Sequence, residues 1–456
     1  MPHSVNIASE PSVRAAATRL TLTELAAGGE AVGRRDDGMV VFVPGGAPGE
    51  QVEVRIEESR KGFARARLLQ VLSESVDRVE PACPLSHPER CGGCPLMHVS
   101  RAAQLRAKQA WVQRALRQTG AEVLPILAPT PELGYRVRAR LVVHDGRLGF
   151  AGARSHRSVA VAACPVMDPL LEAALLGQGG RLAPLLGEGA TLAGLVGRVP
   201  GTERRAVQLA VRLGRGGRRP AIRAFLVDAI EQGLIAGASL DRGEHGGGDD
   251  EILGAAALDV DVGDGAGPLL VAAAGFAQAS APGHTLLAQH VARAVADPAP
   301  ASVEPCSRPR IVELYAGSGN LTRALRPVAR SILAIEGDAA ATARLRQIVD
   351  AAPSAALAPV EVQQAPVEQA LAQLVHRGVT CDAVVLDPPR AGARPALRGI
   401  AALLPRRVVY VSCDAMTLGR DLVELQALGL RARRVQPIDL MPQTAEIECV
   451  AELERA

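Results

Sequence analysis

The sequence contains no apolar run long enough to cross a bilayer, and its first residues lack the apolar core of a secretory signal. Those absences point to a soluble, cytoplasmic protein that avoids membranes. It is expected to act as a monomer with no obligate protein partner. A strong net charge is also missing, because 51 Lys plus Arg face 48 Asp plus Glu, for +3. Composition alone therefore does not demand a nucleic-acid partner. The charge is uneven, however. Between Arg101 and Arg157 eleven basic residues face three acids, Glu122, Glu132 and Asp145, which makes a local basic region. Eight cysteines in a reducing compartment read as metal ligands or nucleophiles rather than disulfides. At 456 residues and 48% hydrophobic, the chain has material for roughly two to four domains.

One stretch organises the rest: Arg406 to Thr417, RRVVYVSCDAMT. It opens as an apolar β-branched strand buried on both faces. It ends on Ser412-Cys413-Asp414, where a helix over Met416 to Leu428 is expected to begin. Ligands of open parallel α/β sheets bind outside the carboxyl ends of the strands, so Cys413 stands where chemistry is expected.

In chain order, residues 1 to about 17 read as a loose tail. Short strand-like runs follow at Leu20–Leu25, Met39–Val43, Gln51–Ile56 and Ala64–Val71, punctuated by Gly and Pro. Such spacing suggests a small β-barrel. GMVVFVPGGAPGEQVEVRI and SRKGFARARLLQVL resemble a TRAM domain, a small RNA-binding barrel of the OB type.

Next comes Cys83, seven residues, then Cys91-Gly-Gly-Cys94. Two cysteines with two residues between them bring both sulfurs to one metal centre. Cys83 and Cys164, in ACPVMDP, would complete four thiolates, with His87 and His98 as alternative ligands. Four sulfurs suit Zn²⁺ or an iron–sulfur cluster, and the residues do not separate the two. Gln104 to Thr119 reads as an amphipathic helix with a basic face. Tyr135 to Val143 alternates as a strand, which puts Arg136, Arg138 and Arg140 on one face, where phosphates could meet them. Ala160 to Leu270 is weakly patterned and reads as the rest of a second, β-rich domain, with residues 241–250 a Gly/Asp-rich loop without evident chemistry.

From about Gly283, strands alternate with helices as in βαβ units. The expected strands are Ile311–Tyr315, Ile332–Glu336, Val360–Gln364, Ala383–Leu386, Val408–Ser412, Ala432–Leu440 and Ile447–Leu453, a seven-stranded sheet closed by an antiparallel pair. Ala316-Gly317-Ser318-Gly319-Asn320 follows the first, where glycines let a ligand approach a helix N-terminus. Glu336 ends the second, placed to bind ribose hydroxyls, and Asp387-Pro388-Pro389-Arg390 ends the fourth. These features fit an S-adenosylmethionine-dependent methyltransferase better than a dinucleotide site.

Taken together, ELYAGSGNLT, DPPRAG, SCDAMTLGRDL and IDLMPQTAEIECVAEL, with CGGCPLMH and GYRVRARL, resemble the RNA uracil-C5 methyltransferase family. The resemblance covers roughly residues 19–170 and 270–455. A barrel joined to a four-cysteine [4Fe-4S] site is similar to the branch that acts on 23S ribosomal RNA; the transfer-RNA branch typically lacks both. The resemblance implies a multidomain α+β chain. It would comprise a TRAM-like barrel (18–75), a β-rich central RNA-binding domain with the cluster (76–275) and a Rossmann-like methyltransferase domain (276–456). It also implies Cys413 as nucleophile and Glu448 as base. Gln278, Tyr315, Gly317, Asn320, Glu336 and Asp387 would hold S-adenosylmethionine. Cys83, Cys91, Cys94 and Cys164 would hold the [4Fe-4S] cluster. The chemistry is coherent, since uracil C5 becomes nucleophilic only after a thiolate adds at C6, and a base must then remove the C5 proton.

Three positions depart from the family pattern. Ser280 stands for the usual Asn two residues after Gln278, Glu446 stands for the usual His two residues before the base, and the first cysteine spacing is seven rather than five. Rival readings are transfer-RNA uridine methylation, a non-catalytic RNA-binding protein with a methyltransferase fold, a zinc-dependent RNA-binding module, and a DNA or guanine N-methyltransferase. The last needs no cysteine nucleophile, so Cys413 argues against it.

Overall fold

The computed structural model describes residues 17–87, 90–152, 158–241, 250–260, 269–296, 308–351 and 356–455. Most of the Gly/Asp-rich loop, 242–249, lies outside them. Among the described residues no helix is long and apolar enough to cross a membrane.

Strands β1 (Thr18–Leu25), β2 (Ala31–Arg34), β3 (Val40–Val43), β4 (Gln51–Arg60) and β5 (Phe63–Ser73) form a closed barrel in the order β1-β2-β3-β5-β4. Alternation makes it possible: Leu20, Leu22 and Leu25 turn inward while the residues between them face outward. The short β2 was not foreseen. Its Gly33 lies against the Thr21 carbonyl, where an added Cβ would come within 3.1 Å.

Ser100 caps α1 (Arg101–Leu116), accepting from the Ala103 amide at 3.3 Å. The Trp111 indole donates to the Leu25 carbonyl at 2.6 Å and ties α1 to the barrel. The basic face expected for this helix does not simply point to water, because Gln104 and Lys108 are buried. After it come β6 (Glu122–Val123), β7 (Arg138–His144), β8 (Arg147–Ala151), β9 (Ser158–Ala160), α2 (Pro169–Leu175), α3 (Gly179–Leu186), β10 (Thr191–Arg198), β11 (Arg205–Arg212), α4 (Arg219–Glu231), β12 (Gly237–Leu240), β13 (Glu251–Gly254), β14 (Leu258–Val260) and β15 (Leu269–Val271). Except for β6, these strands make one sheet with the backbone order β13-β12-β11-β10-β7-β8-β9; β14 joins at β10 and pairs β15. The weakly patterned middle is therefore β-rich as expected, with three helices packed among the strands. The expected strand from Tyr135 begins only at Arg138, because Arg136 bridges Met167 instead. The three arginines thus do not share one strand face.

The last part runs α5 (Ala281–Ala296), β16 (Arg310–Leu314), α6 (Asn320–Leu325), β17 (Ser331–Glu336), α7 (Ala339–Ala351), β18 (Val360–Gln364), α8 (Val367–His376), β19 (Ala383–Leu386), α9 (Leu397–Ala402), β20 (Arg407–Ser412), α10 (Ala415–Ala427), β21 (Leu430–Ile438) and β22 (Glu448–Arg455). The sheet order is β18-β17-β16-β19-β20-β22-β21-β6. Five strands are parallel, β22 and β21 close the sheet antiparallel, and β6 adds an eighth strand beyond the seven expected. Every residue of β20 is buried, as a central parallel strand requires.

Candidate active site

The loop after β20 fixes Cys413. Asp414 caps α10, its carboxylate accepting from the Thr417 amide at 2.8 Å, and the Asp414 amide donates to Ser412 Oγ at 3.2 Å. Cys413, held between these two bonded residues, is half-buried. On the neighbouring strand, Ser412 faces Cys449. One residue further on, Cys413 leaves the strand, and Glu448, the neighbour of Cys449, is close enough to act on its thiol. Glu448 is 7% exposed and begins β22.

Both groups sit in low dielectric. Burial pushes the Cys413 thiol up to about 11; Glu448 and Asp387 add to the rise, and Arg390 opposes it. Burial likewise raises Glu448 to about 8, helped by Asp387 and Glu446. Asp387, at the end of β19, rises to about 7 through burial alone. Arg390 is the cation of the group, pairing with Glu446 and lying against Cys413. Glu446 precedes β22, which begins at Glu448.

Cys413, Arg390, Glu446 and the exposed Met416 line a cavity of about 580 Å³. Its other walls include Ala27 and Gly28 of the barrel, Gly92 and Gly93 between the paired cysteines, Pro95 and Arg136. A second cavity, of about 770 Å³, is lined by Cys83, Cys91, Cys94 and Cys164 and shares Gly28, Gly92, Gly93, Pro95 and Arg136 with the first. The four sequence-predicted cysteines thus meet around one space. Among the described residues, however, no three of their sulfurs all lie within 4.8 Å of one another. Both alternative ligands, His87 and His98, line this cavity, and the buried His98 ring bonds the Gly46 carbonyl at 2.9 Å.

The Gly-rich loop lies at the carboxyl end of β16. Tyr315, Gly317 and Gly319 all have positive φ, 58°, 58° and 91°, a conformation that is uncommon for Tyr. The Gly317 amide donates to Glu336 Oε2 at 2.8 Å, and nothing lies within 4 Å of where a Gly317 Cβ would stand. Asn320 Oδ1, at the start of α6, is buried with no hydrogen-bond partner. An open backbone approach and an orphaned acceptor fit a polar ligand such as the amino-acid and ribose parts of S-adenosylmethionine. Gln278 is half-buried in the segment before α5. That segment touches the loop through Arg344, which donates to Ser318 Oγ at 3.1 Å and lies 3.5 Å from the Cβ position of Gly275. The departure at Ser280 has its own use: its Oγ accepts from the Gly283 amide at 3.1 Å at the start of α5.

Arg390 and Arg136 were not singled out as active-site residues from sequence. Each reaches the cavity across tens to hundreds of residues of chain, so spacing carries no signal for either.

Comparison with known proteins bears on the same regions. The TRAM domain family matches residues 17–69, and the family described as tRNA (Uracil-5-)-methyltransferase matches residues 301–456. The chain is 32% identical over 458 residues to an Edwardsiella ictaluri protein named 23S rRNA (uracil(1939)-C(5))-methyltransferase RlmD, covering 96% of this chain and 95% of that one. A Gloeobacter violaceus protein named only as an RNA methyltransferase is 34% identical, over 95% and 96% of the two chains. The solved structure of Pyrococcus abyssi tRNA (uracil-54, C5)-methyltransferase with S-adenosyl-L-homocysteine covers 96% of this chain and 100% of its own. Its TM-score of 0.67 at 21% identity speaks for the fold. By its near full-length similarity to these relatives, the chain belongs to the RNA uracil-C5 methyltransferase family.

Proposed function

We propose that the protein methylates C5 of a uridine in 23S ribosomal RNA, with S-adenosylmethionine as methyl donor, through a covalent bond between Cys413 and C6. The observation that carries this reading is the juxtaposition of Cys413, just past the end of β20, with Glu448 at the start of β22, beside a cavity walled partly by the barrel. The names of the full-length bacterial relatives favour ribosomal over transfer RNA.

Cys413 Sγ, as thiolate, adds to C6 and makes C5 an enolate carbon. Arg390, which lowers the thiol, favours the thiolate. S-Adenosylmethionine supplies an electrophilic methyl group, and Gln278, Tyr315, Gly317, Asn320, Glu336 and Asp387 are the residues that would hold it. C5 takes the methyl group as its bond to the donor sulfur breaks, and S-adenosylhomocysteine is the leaving group. Glu448 then removes the C5 proton, the electron pair reforms the C5–C6 double bond, and Cys413 leaves as thiolate. A carboxyl raised to about 8 by burial is suited to accept a proton near neutral pH.

Cys83, Cys91, Cys94 and Cys164 are proposed to hold a [4Fe-4S] cluster with a structural role. What supports a metal centre is that all four line one cavity, and what supports a cluster over zinc is the resemblance to the ribosomal-RNA branch that joins a barrel to such a site. Three units, 18–75, 76–275 and 276–456, acting together as a cytoplasmic monomer, complete the reading. The deciding experiment maps C5-methyluridine in ribosomal and transfer RNA from cells with and without this protein. Loss from a single 23S position supports the proposal; loss from transfer RNA alone refutes the substrate.

A further inference from the structure

Two of the chain's 51 basic residues are lysine, Lys61 and Lys108; all the others are arginine. Lys61 is exposed in the turn between β4 and β5, whereas Lys108 is completely buried in the middle of α1. A sequence that uses arginine almost everywhere keeps lysine at an enclosed site, and the site explains why. Lys108 Nζ donates to Asp439 Oδ1 at 2.7 Å and to the Met441 carbonyl at 3.1 Å. Asp439 is also completely buried, and Arg101 takes its other oxygen. A compact ammonium satisfies two such acceptors, whereas a planar guanidinium brings five donors in a fixed fork.

Asp439 opens the connection from β21 to β22. Ile438 just before it is the ladder partner of Glu448 at the far end. Residues 439–447 are thus a closed loop whose return strand starts on Glu448. One turn before Lys108, Gln104 and Gln443 bond reciprocally: Gln104 Nε2 donates to Gln443 Oε1 at 2.8 Å, and the Gln443 backbone amide donates to Gln104 Oε1 at 3.0 Å. Gln443 needs that grip, since it is a non-glycine residue at φ 68°. Arg101, Gln104 and Lys108 lie three and four positions apart, one face of a helix turned to one loop. The same helix also packs on α10, where a Cβ on Gly419 would come within 2.5 Å of the Ala115 carbonyl. Helix α1 therefore touches the helix that follows Cys413 and the loop that leads into Glu448.

We propose that Lys108, acting through Asp439, is a positioning residue that sets the loop 439–447 and thereby the placement of Glu448 for proton removal. The proposal rests on the reading of Glu448 as the base. It predicts a step-specific defect. Glu448 serves only release of the methylated product, so adduct formation at Cys413 should survive a misplaced loop.

The test is single-turnover reaction of the full chain with a uridine-containing RNA and S-adenosylmethionine, following adduct formation and adduct release separately. In Lys108→Met, release should slow at least about tenfold, a fraction of the roughly 10²–10⁴-fold that a placed base contributes, while adduct formation changes far less. The denaturant-stable RNA–protein band should accumulate. Lys108→Arg should not restore release, although it restores the charge. The double variant Lys108→Met with Asp439→Leu removes both completely buried charges but leaves Arg101 without its acceptor, so it should regain part of the lost melting temperature and none of the release. This variant keeps the test open if Lys108→Met folds poorly. Equal slowing of both steps, or normal release in either variant that folds, would overturn the proposal. A wild-type protein that forms no adduct at all would overturn it together with the covalent reading, which distinguishes the two failures.

Discussion

Arg390 and Glu446 form an ion pair at the rim of the cavity that holds Cys413. The pair sets how much positive charge the thiol feels. Glu446 draws Arg390 towards itself and also raises Glu448. Glu446→Gln should therefore free Arg390 for Cys413 and speed alkylation of that thiol at neutral pH, while Arg390→Ala should slow it. Peptide-resolved iodoacetamide kinetics would read this at Cys413 alone. Stability should change by less than about 1 kcal/mol, because Arg390 is 64% exposed. Unchanged alkylation in both variants would remove Arg390 from thiol activation.

The division of labour between Cys413 and Glu448 gives a second prediction. Cys413→Ala should abolish both methylation and the covalent adduct. Glu448→Gln should permit addition and methyl transfer but stall proton removal, leaving methylated RNA on Cys413. Denaturing gels with labelled RNA should show no band for the first variant and an enriched band for the second. Normal turnover by Glu448→Gln would mean that another group acts as base.

Buried carboxyls give a pH prediction. Burial raises Glu313 of β16 and Glu448 to about 8 and Asp387 to about 7. A raised carboxyl contributes stability that is whole below its unfolded value, about 4, and is lost as pH climbs through the folded one. The melting temperature of the ligand-free protein should therefore carry a component that falls between about pH 5 and pH 8. Glu313→Gln should flatten that fall, and parallel profiles for the two proteins would show that Glu313 does not titrate there. Adduct release should rise over the same window as Glu448 ionises.

For the cysteine cavity, Cys164→Ser should lower iron content and visible absorption of anaerobically purified protein, as should serine at Cys83, Cys91 or Cys94. Unchanged iron after Cys164→Ser would show that this ligand is misassigned. Full zinc occupancy without iron in the unaltered protein would overturn the cluster.

Much of the catalytic sheet was legible because its strands are short apolar runs with polar ends; Val360–Gln364 and Ala383–Leu386 begin and end as read. The two-residue β6 was not, since its partner β21 lies some three hundred residues away and no local pattern marks it. Helix α1 was found, but its buried face was misjudged, because Gln104 and Lys108 look like surface residues until Gln443 and Asp439 are placed against them. Alternation from Tyr135 suggested one strand face for three arginines, yet the ladder with β10 starts at Arg138. Motifs named the residues near the site; which cations and carboxylates meet there depended on chain crossings that sequence does not encode locally.

The burial of Lys108 has a practical consequence. An amine-reactive dye would find one exposed lysine side chain, Lys61, in the Arg60–Phe63 turn of the barrel. With the α-amine blocked first, a single side chain takes the dye and no engineered cysteine, which would compete with the thiols already present, is needed. A fluorophore there would report RNA arriving at the barrel while leaving the Lys108–Asp439 bond and Cys413 untouched.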